Sequence, residues 1–225
     1  MPIFQLSDDI IFPDPSLAEE NGLLAIGGDL SPERIINAYT NGIFPWYSEG
    51  EPILWWSPNP RCVLFPGKFK PSKSLSLLVK KNYFIVKFDS DFSSVIEMCS
   101  TVNRPDQPGT WITPEMKHAY IKLHKLGYAH SVESYYENKL VGGLYGIAIG
   151  NIFFGESMFY KVSNASKVAF FYLVGKLIQW NFELIDNQTT SQHLINLGSE
   201  EIDRNKFLEI IKISALKNNL RRKWQ

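Results

Sequence analysis

A chain of 225 residues is enough for one large domain or two unequal ones. With 44% apolar and 20% charged residues it has an ordinary soluble composition that can build a sizeable core, and two cysteines (Cys62, Cys99) exclude a disulfide framework. Lys+Arg and Asp+Glu are equal at 23 each, so a chain basic throughout is excluded and any surface for nucleic acid must be a local patch.

The N-terminal residues Met1 to Asp9 lack the basic start and apolar run of a signal peptide. Gly22 to Asp29 is an apolar segment closed by a Gly-Gly turn. Ser31-Pro32-Glu33 then opens a helix, with Ser as N-cap, Pro in the first turn and an acid near the positive end; it runs to about Thr40 and ends at Asn41-Gly42. An aromatic and proline tract follows, Ile43 to Tyr47 and Leu54 to Arg61, holding three of the six tryptophans. Its prolines forbid a long helix, so the rings are presented from turns and edge segments, either as a small core or as a platform for a stacked nucleobase. Pro58 to Pro66 is the expected join between a small N-terminal domain, 1–63, and a larger one, 64–225.

Lys68, Lys70, Lys73, Lys80 and Lys81 come next with no acid among them. Such a run is a solvated face by default, and beside an aromatic platform it is a track for phosphates. A strand is expected at Tyr83–Phe88 and a helix at Phe92–Cys99. Another helix is capped by Thr113 and stopped by Gly127, with Met116, Tyr120, Leu123 and Leu126 on one core-facing side. From His130 the pattern turns to β: Ser131–Tyr136, a turn at Glu137-Asn138, Leu140–Ile149, a tight turn at Gly150-Asn151, and Ile152–Phe159. The uncharged stretch Leu140–Gly155 is broken by glycines and an Asn, so it reads as strands and turns rather than a membrane span. Ser163 or Asn164 caps a long helix to about Gln179. After a further strand, a short helix stops at Gly198, Asp203 opens a last helix, and a basic tail Arg221-Arg222-Lys223 follows. The four histidines, three of them six apart, offer no metal pattern.

The strand Phe182–Gln188 ends in polar groups. Strict alternation puts Leu184, Asp186 and Gln188 on one face, with Ile185 and Asn187 on the other. A carboxylate and a carboxamide would then sit side by side at the end of an apolar strand, able to hold a nucleophile and steer its proton. The competing reading is a solvated strand end.

The second half therefore runs helix, three or four antiparallel strands, helix, strand, helix. That order is α+β with a central mixed sheet, compatible with an acetyltransferase-like fold. The start of its long helix, Tyr160 to Ser166, has no glycine, so a backbone nest for a CoA pyrophosphate is not evident and no cofactor is expected.

Several tracts resemble one family closely. Gly27-Gly28-Asp29-Leu30-Ser31-Pro32, Gly42-Ile43-Phe44-Pro45-Trp46, Leu54-Trp55-Trp56-Ser57-Pro58 and Leu140-Val141-Gly142-Gly143-Leu144-Tyr145-Gly146 are similar to motifs of the leucyl/phenylalanyl-tRNA–protein transferases. So are Phe154-Gly155-Glu156-Ser157-Met158-Phe159, Asn164-Ala165-Ser166-Lys167 and His193-Leu194. The resemblance spans about Gly22 to Phe207. It implies an enzyme that moves Leu or Phe from aminoacyl-tRNA to an N-terminal Arg or Lys of an acceptor protein, marking it for degradation, while the lack of a signal peptide or membrane span and the two cysteines predict a reduced, cytoplasmic protein. It also implies roles by position. Asp186 and Gln188 match the catalytic pair, with Glu156 in the adjoining motif. Leu144, Phe153, Met158, Phe170, Leu173 and Ile185 match the aminoacyl side-chain pocket. Trp46 and Trp111 match the rings that hold the terminal adenosine, and Lys73, Lys80 and Lys81 the surface basic toward tRNA. Two residues depart from the pattern: Asn187 stands where Cys is usual and, by alternation, points away from the pair, and Tyr160 stands where a small Ser is usual.

Aminolysis of an activated ester needs positioning and proton management rather than a covalent enzyme intermediate. On this reading Asp186 orients the attacking amine directly, and Gln188 fixes that geometry or polarises the ester. Two rivals share features: an acyl-CoA-dependent N-acyltransferase shares the fold, and a non-catalytic tRNA-binding module shares the aromatic and basic tracts but has no use for the Asp186–Gln188 pair.

Overall fold

The computed structural model describes residues 3–102, 110–215, 217 and 223–224. Residues 221 and 222 of the basic tail lie outside them.

A four-stranded sheet, in the order β1-β2-β4-β3, is built from β1 (Phe4–Leu6), β2 (Leu23–Gly27), β3 (Phe44–Pro45) and β4 (Leu54–Trp56). Helix α1 (Pro32–Thr40) starts where Ser31 accepts a hydrogen bond from the Arg34 amide and stops at Gly42, whose φ of 72° suits a residue without Cβ. Trp55 is fully buried and its indole N–H donates to the Gly27 carbonyl, so this ring belongs to the core. Trp46 stays 41% exposed.

The larger sheet has seven strands in the order β11-β5-β10-β9-β8-β7-β6. They are β5 (Arg61–Leu64), β6 (Ile85–Phe88), β7 (Ala129–Tyr136), β8 (Lys139–Ile149), β9 (Ile152–Tyr160), β10 (Leu184–Gln188) and β11 (Glu200–Ile202). All neighbours are antiparallel except β9 and β10, so the sheet is mixed, as expected. β5, which spans the expected 63/64 boundary, pairs on both sides within this sheet. Helix α5 (Ala165–Gln179) packs against β7, β8 and β9 on one face, joined by α2 (Lys73–Lys80). Helices α3 (Phe92–Ser100) and α4 (Pro114–Lys125) cover the other face, and α1 from the smaller sheet contacts α4 and β8. One apolar cluster runs from Leu24 and Trp55 through Tyr39 to Tyr120, Phe154 and Phe207, so the two sheets share a core.

Thr113 and Asp203 cap α4 and α7 (Arg204–Ser214) as read from the sequence, and Gly198 follows the short α6 (Gln192–Asn196). Asn164 precedes α5 but makes no side-chain cap; its φ of 66° places it in the left-handed region, which Asn tolerates. Leu126 is 52% exposed because α4 ends at Lys125 and the chain turns away before that residue can follow the core face. Helix α2 hides in the lysine run, with only Leu75 buried. No helix among the described residues is long and apolar enough to cross a membrane.

Candidate active site

The parallel pairing of β9 and β10 runs from Leu184↔Ile152 to Asp186↔Phe154 and then stops. Beyond it the two strands part, and the gap is the site. Two β-bulges shape it. Against β8, the register passes from Tyr145↔Ser157 to Gly146↔Gly155, so Glu156 is an extra residue with no cross-strand partner. Against β5, it passes from Asp186↔Val63 to Gln188↔Cys62, so Asn187 is extra in the same way. A bulge bends the strand and re-aims its side chains. Both bulged residues face the gap.

Two cavities meet there. The first, of about 260 Å³, is walled by Leu144 (β8), Phe153 and Met158 (β9), Phe170 and Leu173 (α5) and Ile185 (β10), with Trp111, Tyr145, Gly155, Glu156, Ser157, Asn187 and Leu194 completing it. All six residues matched to an aminoacyl pocket are thus brought to one apolar space, with polar groups at one end. The second, of about 240 Å³, is walled by Phe44, Pro45, Trp46, Trp111, Gly155, Glu156, Asn187, Gln188 and Thr189. Trp46, just after β3, and Trp111, in the segment before α4, therefore share a cavity. Tyr160 is 66% exposed and lines neither space.

Glu156 is the group common to both cavities that carries a charge. Its carboxylate accepts from Tyr39 Oη (2.6 Å), Tyr120 Oη (2.9 Å) and Gln188 Nε2 (3.0 Å), and the two tyrosine hydroxyls are 2.7 Å apart. Desolvation raises its pKa to about 7, against the opposing pull of the hydrogen bonds from Tyr39, Tyr120 and Gln188; the nearby Asp186 charge adds to the rise. Burial beside Glu156 also raises both phenols well above their ordinary value, so they act as neutral donors.

Asp186 corrects the expectation that it meets the amine directly. It is fully buried and lines neither cavity. Arg61 on β5 grips it with two bonds, Nε to Oδ1 at 2.9 Å and Nη2 to Oδ2 at 2.7 Å. The guanidinium is sandwiched between the Phe44 ring at 4.8 Å and the Phe207 ring at 4.6 Å. Asp186 Oδ1 also accepts the Gln188 amide at 2.9 Å, which helps hold Gln188 at φ 63°, a conformation uncommon outside glycine. Asp186 thus positions Gln188, and Gln188 touches Glu156.

Asn187 is the second correction. The bulge turns it toward the gap rather than away, and its Nδ2 donates to Ser199 Oγ at 3.0 Å. Cys62 lies across the strand from Gln188, but it lines neither cavity and burial raises its thiol pKa, so it is a poor nucleophile. Sequence reasoning missed Arg61, which carries no local signal, and took Tyr120 for a core residue alone. Lys73 and Lys80 stand at the two ends of α2 and Lys81 at its C-cap; all three are exposed, none in an ion pair among the described residues, and none on the cavity walls.

Comparison with known proteins identifies the family. A model for leucyl/phenylalanyl-tRNA protein transferase matches residues 63–212, and one for the N-terminal domain of the same proteins matches residues 28–59. The chain belongs to the leucyl/phenylalanyl-tRNA–protein transferase family. It is an enzyme, a transferase. A leucyl/phenylalanyl-tRNA–protein transferase of Desulfatibacillum aliphaticivorans is 53% identical to it, over 100% of this chain and 96% of that one. Another so named, from Thermodesulfovibrio yellowstonii, is 55% identical over 100% of this transferase and 91% of its own length. Two solved structures, a functionally unknown conserved protein of Staphylococcus epidermidis and L-PGS of Bacillus licheniformis, overlay at TM-scores of 0.44 and 0.42 with 10% identity. They cover 80% and 73% of the transferase, and 68% and 52% of their own chains, and do not assign it a fold family.

Proposed function

We propose that this transferase moves a leucyl or phenylalanyl group from aminoacyl-tRNA onto the α-amine of an acceptor protein whose N-terminal residue is Arg or Lys, marking that protein for degradation. The observation that carries the reading is the meeting of an apolar cavity and a tryptophan-walled cavity at one carboxylate. The aminoacyl side chain enters the first space. The terminal adenosine stacks against Trp46 and Trp111 in the second, worth about 1–3 kcal/mol per base. The ester carbonyl then lies near Glu156 and Gln188.

The acceptor nitrogen attacks the carbonyl carbon. A C–N bond forms, the ester C–O bond to the ribose breaks, the nitrogen loses a proton and the ribose oxygen gains one. Glu156, with a pKa near 7, is suited to take the first proton and return it. Its negative charge also favours a cationic acceptor residue. Gln188 orients Glu156 and the ester, and Asp186 with Arg61 holds Gln188 in place. The opening between two parallel strands, with α5 across one face, supports an acetyltransferase-like reading of the larger sheet. No cofactor is required, since the ester is already activated. The need for charged tRNA favours a cytoplasmic setting.

The test is transfer of labelled leucine from Leu-tRNA to a peptide beginning with Arg. Label should reach the peptide, and free CoA should neither support transfer nor shift the melting temperature. Peptide that stays unlabelled with intact charged tRNA overturns the reading. The same assay checks the cavity. Valyl transfer should run about 10–200-fold below leucyl, because one methylene is worth only that much. Met158→Ala should shift preference toward Phe, as the flexible thioether gives up its space. Unchanged donor ratios in a folded Met158→Ala protein would take Met158 out of donor selection.

Lys73, Lys80 and Lys81 are proposed to meet tRNA phosphates. Removing each lysine–phosphate pair should lower the slope of log affinity against log salt by about 0.7–0.9. A triple Ala variant with the wild-type slope would make them a solvated face only.

A further inference from the structure

Behind the apolar cavity lies a side chain from the far end of the chain. Trp224 is 1% exposed and belongs to the same apolar cluster as Leu144, Phe153, Phe170, Leu173 and Ile185. Its ring lies 5.7 Å from Phe153, 5.1 Å from Trp180 and 6.0 Å from Phe182, and stacks on His130 at 4.0 Å with the planes 5° apart. Its backbone N–H donates to Asp89 Oδ2 at 2.7 Å, and the same buried carboxylate bonds His130 Nδ1 at 2.8 Å and the Ser131 amide at 2.9 Å. Trp224 is therefore tied by its backbone and packed by its ring. The indole Nε1 has no partner among the described residues, so shape rather than polarity holds the ring.

Phe153 is the link to the site. It walls the aminoacyl cavity and also contacts Trp224. Elsewhere it closes over Gly146 of β8, where an added Cβ would meet the Phe153 ring at 2.5 Å. The Phe153 ring is thus packed against both Gly146 and Trp224. We propose that Trp224 is a positioning residue that sets the depth of the aminoacyl cavity by buttressing Phe153, and so contributes to the choice of donor. This inference rests on the proposal that the cavity holds the aminoacyl side chain.

Removing the indole opens a space behind Phe153, and interior packing leaves no other atoms to fill it without movement. Trp224→Ala should raise the ratio of kcat/KM for Phe-tRNA over Leu-tRNA by about tenfold, the scale of one or two methylenes in an apolar pocket. Trp224→Phe should restore most of the wild-type ratio, because an aromatic ring without the N–H still fills the space. Trp224→Leu, a milder truncation, is read in the same way and decides the matter should the Ala variant not fold. All rates are compared below each variant's melting temperature, with KM for the Arg-peptide measured alongside. A merely structural Trp224 would lower the melting temperature and both donor rates together with their ratio unchanged; that result overturns the proposal. Met158→Ala in the same assay keeps the two readings apart. A ratio moved by Met158→Ala but by no Trp224 variant removes only Trp224 from selection. A ratio moved by neither removes the cavity as the aminoacyl site.

Discussion

Asp186→Asn should lower stability by about 3–5 kcal/mol, roughly 6–20 °C in melting temperature for a chain of this size. The cause is Arg61. Its side chain is 1% exposed and that of Asp186 0%, so the substitution leaves a guanidinium buried without its counter-charge. The flanking Phe44 and Phe207 rings supply only a fraction of what a carboxylate does. Asn keeps an oxygen for the Gln188 amide, yet its carboxamide no longer matches the guanidinium fork, and Gln188 loses its fixed φ of 63°. Transfer should therefore fall even at temperatures where the variant is folded. A pair of substitutions separates the two effects. Arg61→Met combined with Asp186→Leu removes both charges, and an apolar replacement of a buried ion pair is often neutral or better. The double variant should melt well above either single one while transfer stays low, because the Gln188 amide has lost its acceptor. An Asp186→Asn protein that melts within about 2 °C of wild type would show that the Arg61 charge finds another partner, and the positioning role would fall with it.

Glu156→Gln should reduce the transfer rate by about 10²–10³ with tRNA affinity near wild type, the scale of losing one preorganised electrostatic group that acts in the transition state. Gln fits the hydrogen bonds from Tyr39 and Tyr120 imperfectly but adds no volume, so the fold should survive. The pH profile is the sharper readout. Wild-type transfer should rise through a midpoint near 7 as Glu156 ionises. The variant should keep only the ionisation of the acceptor amine, at about 7.7–8.0. Stability carries the same signature with a definite sign. The folded pKa of Glu156 lies above its ordinary value of 4.5, so its protonation favours the folded state. That contribution is fully present below about 4.5 and is lost as pH rises through about 7. The difference in melting temperature, wild type minus Glu156→Gln, should therefore fall between those limits. Parallel melting curves across that range, or an unchanged pH–rate profile, would take Glu156 out of proton transfer.

Much of the scaffold is legible in the order of the residues. Ser31, Thr113 and Asp203 announce helix starts, Gly42, Gly127 and Gly198 announce stops, and the Glu137-Asn138 and Gly150-Asn151 turns set the β7–β8–β9 meander. These signals are local, since capping and turn chemistry act within four residues. The short edge strands β1 and β11 carry no comparable signal, because three-residue strands owe their existence to what they pair with, whereas α2 does carry one, the Ser72 cap that accepts from the Leu75 amide, inside a run read only for its lysines.

The sequence by itself determined the family, the helix ends, the central meander and the roster of site residues carried by that resemblance. The tertiary structure alone decided how those residues stand toward one another. Alternation assigned Asn187 to the far face and paired Asp186 with Gln188, but a bulge at Asn187 and another at Glu156 break the two-residue period where the site lies. Arg61 stands 125 residues before Asp186, and Tyr39 117 residues before Glu156, so no window of sequence joins them. Trp224 and Phe153, far apart in sequence, meet only in the folded chain. Periodicity and capping are properties of neighbouring residues, whereas a buried charge is settled by whichever partner the fold carries to it.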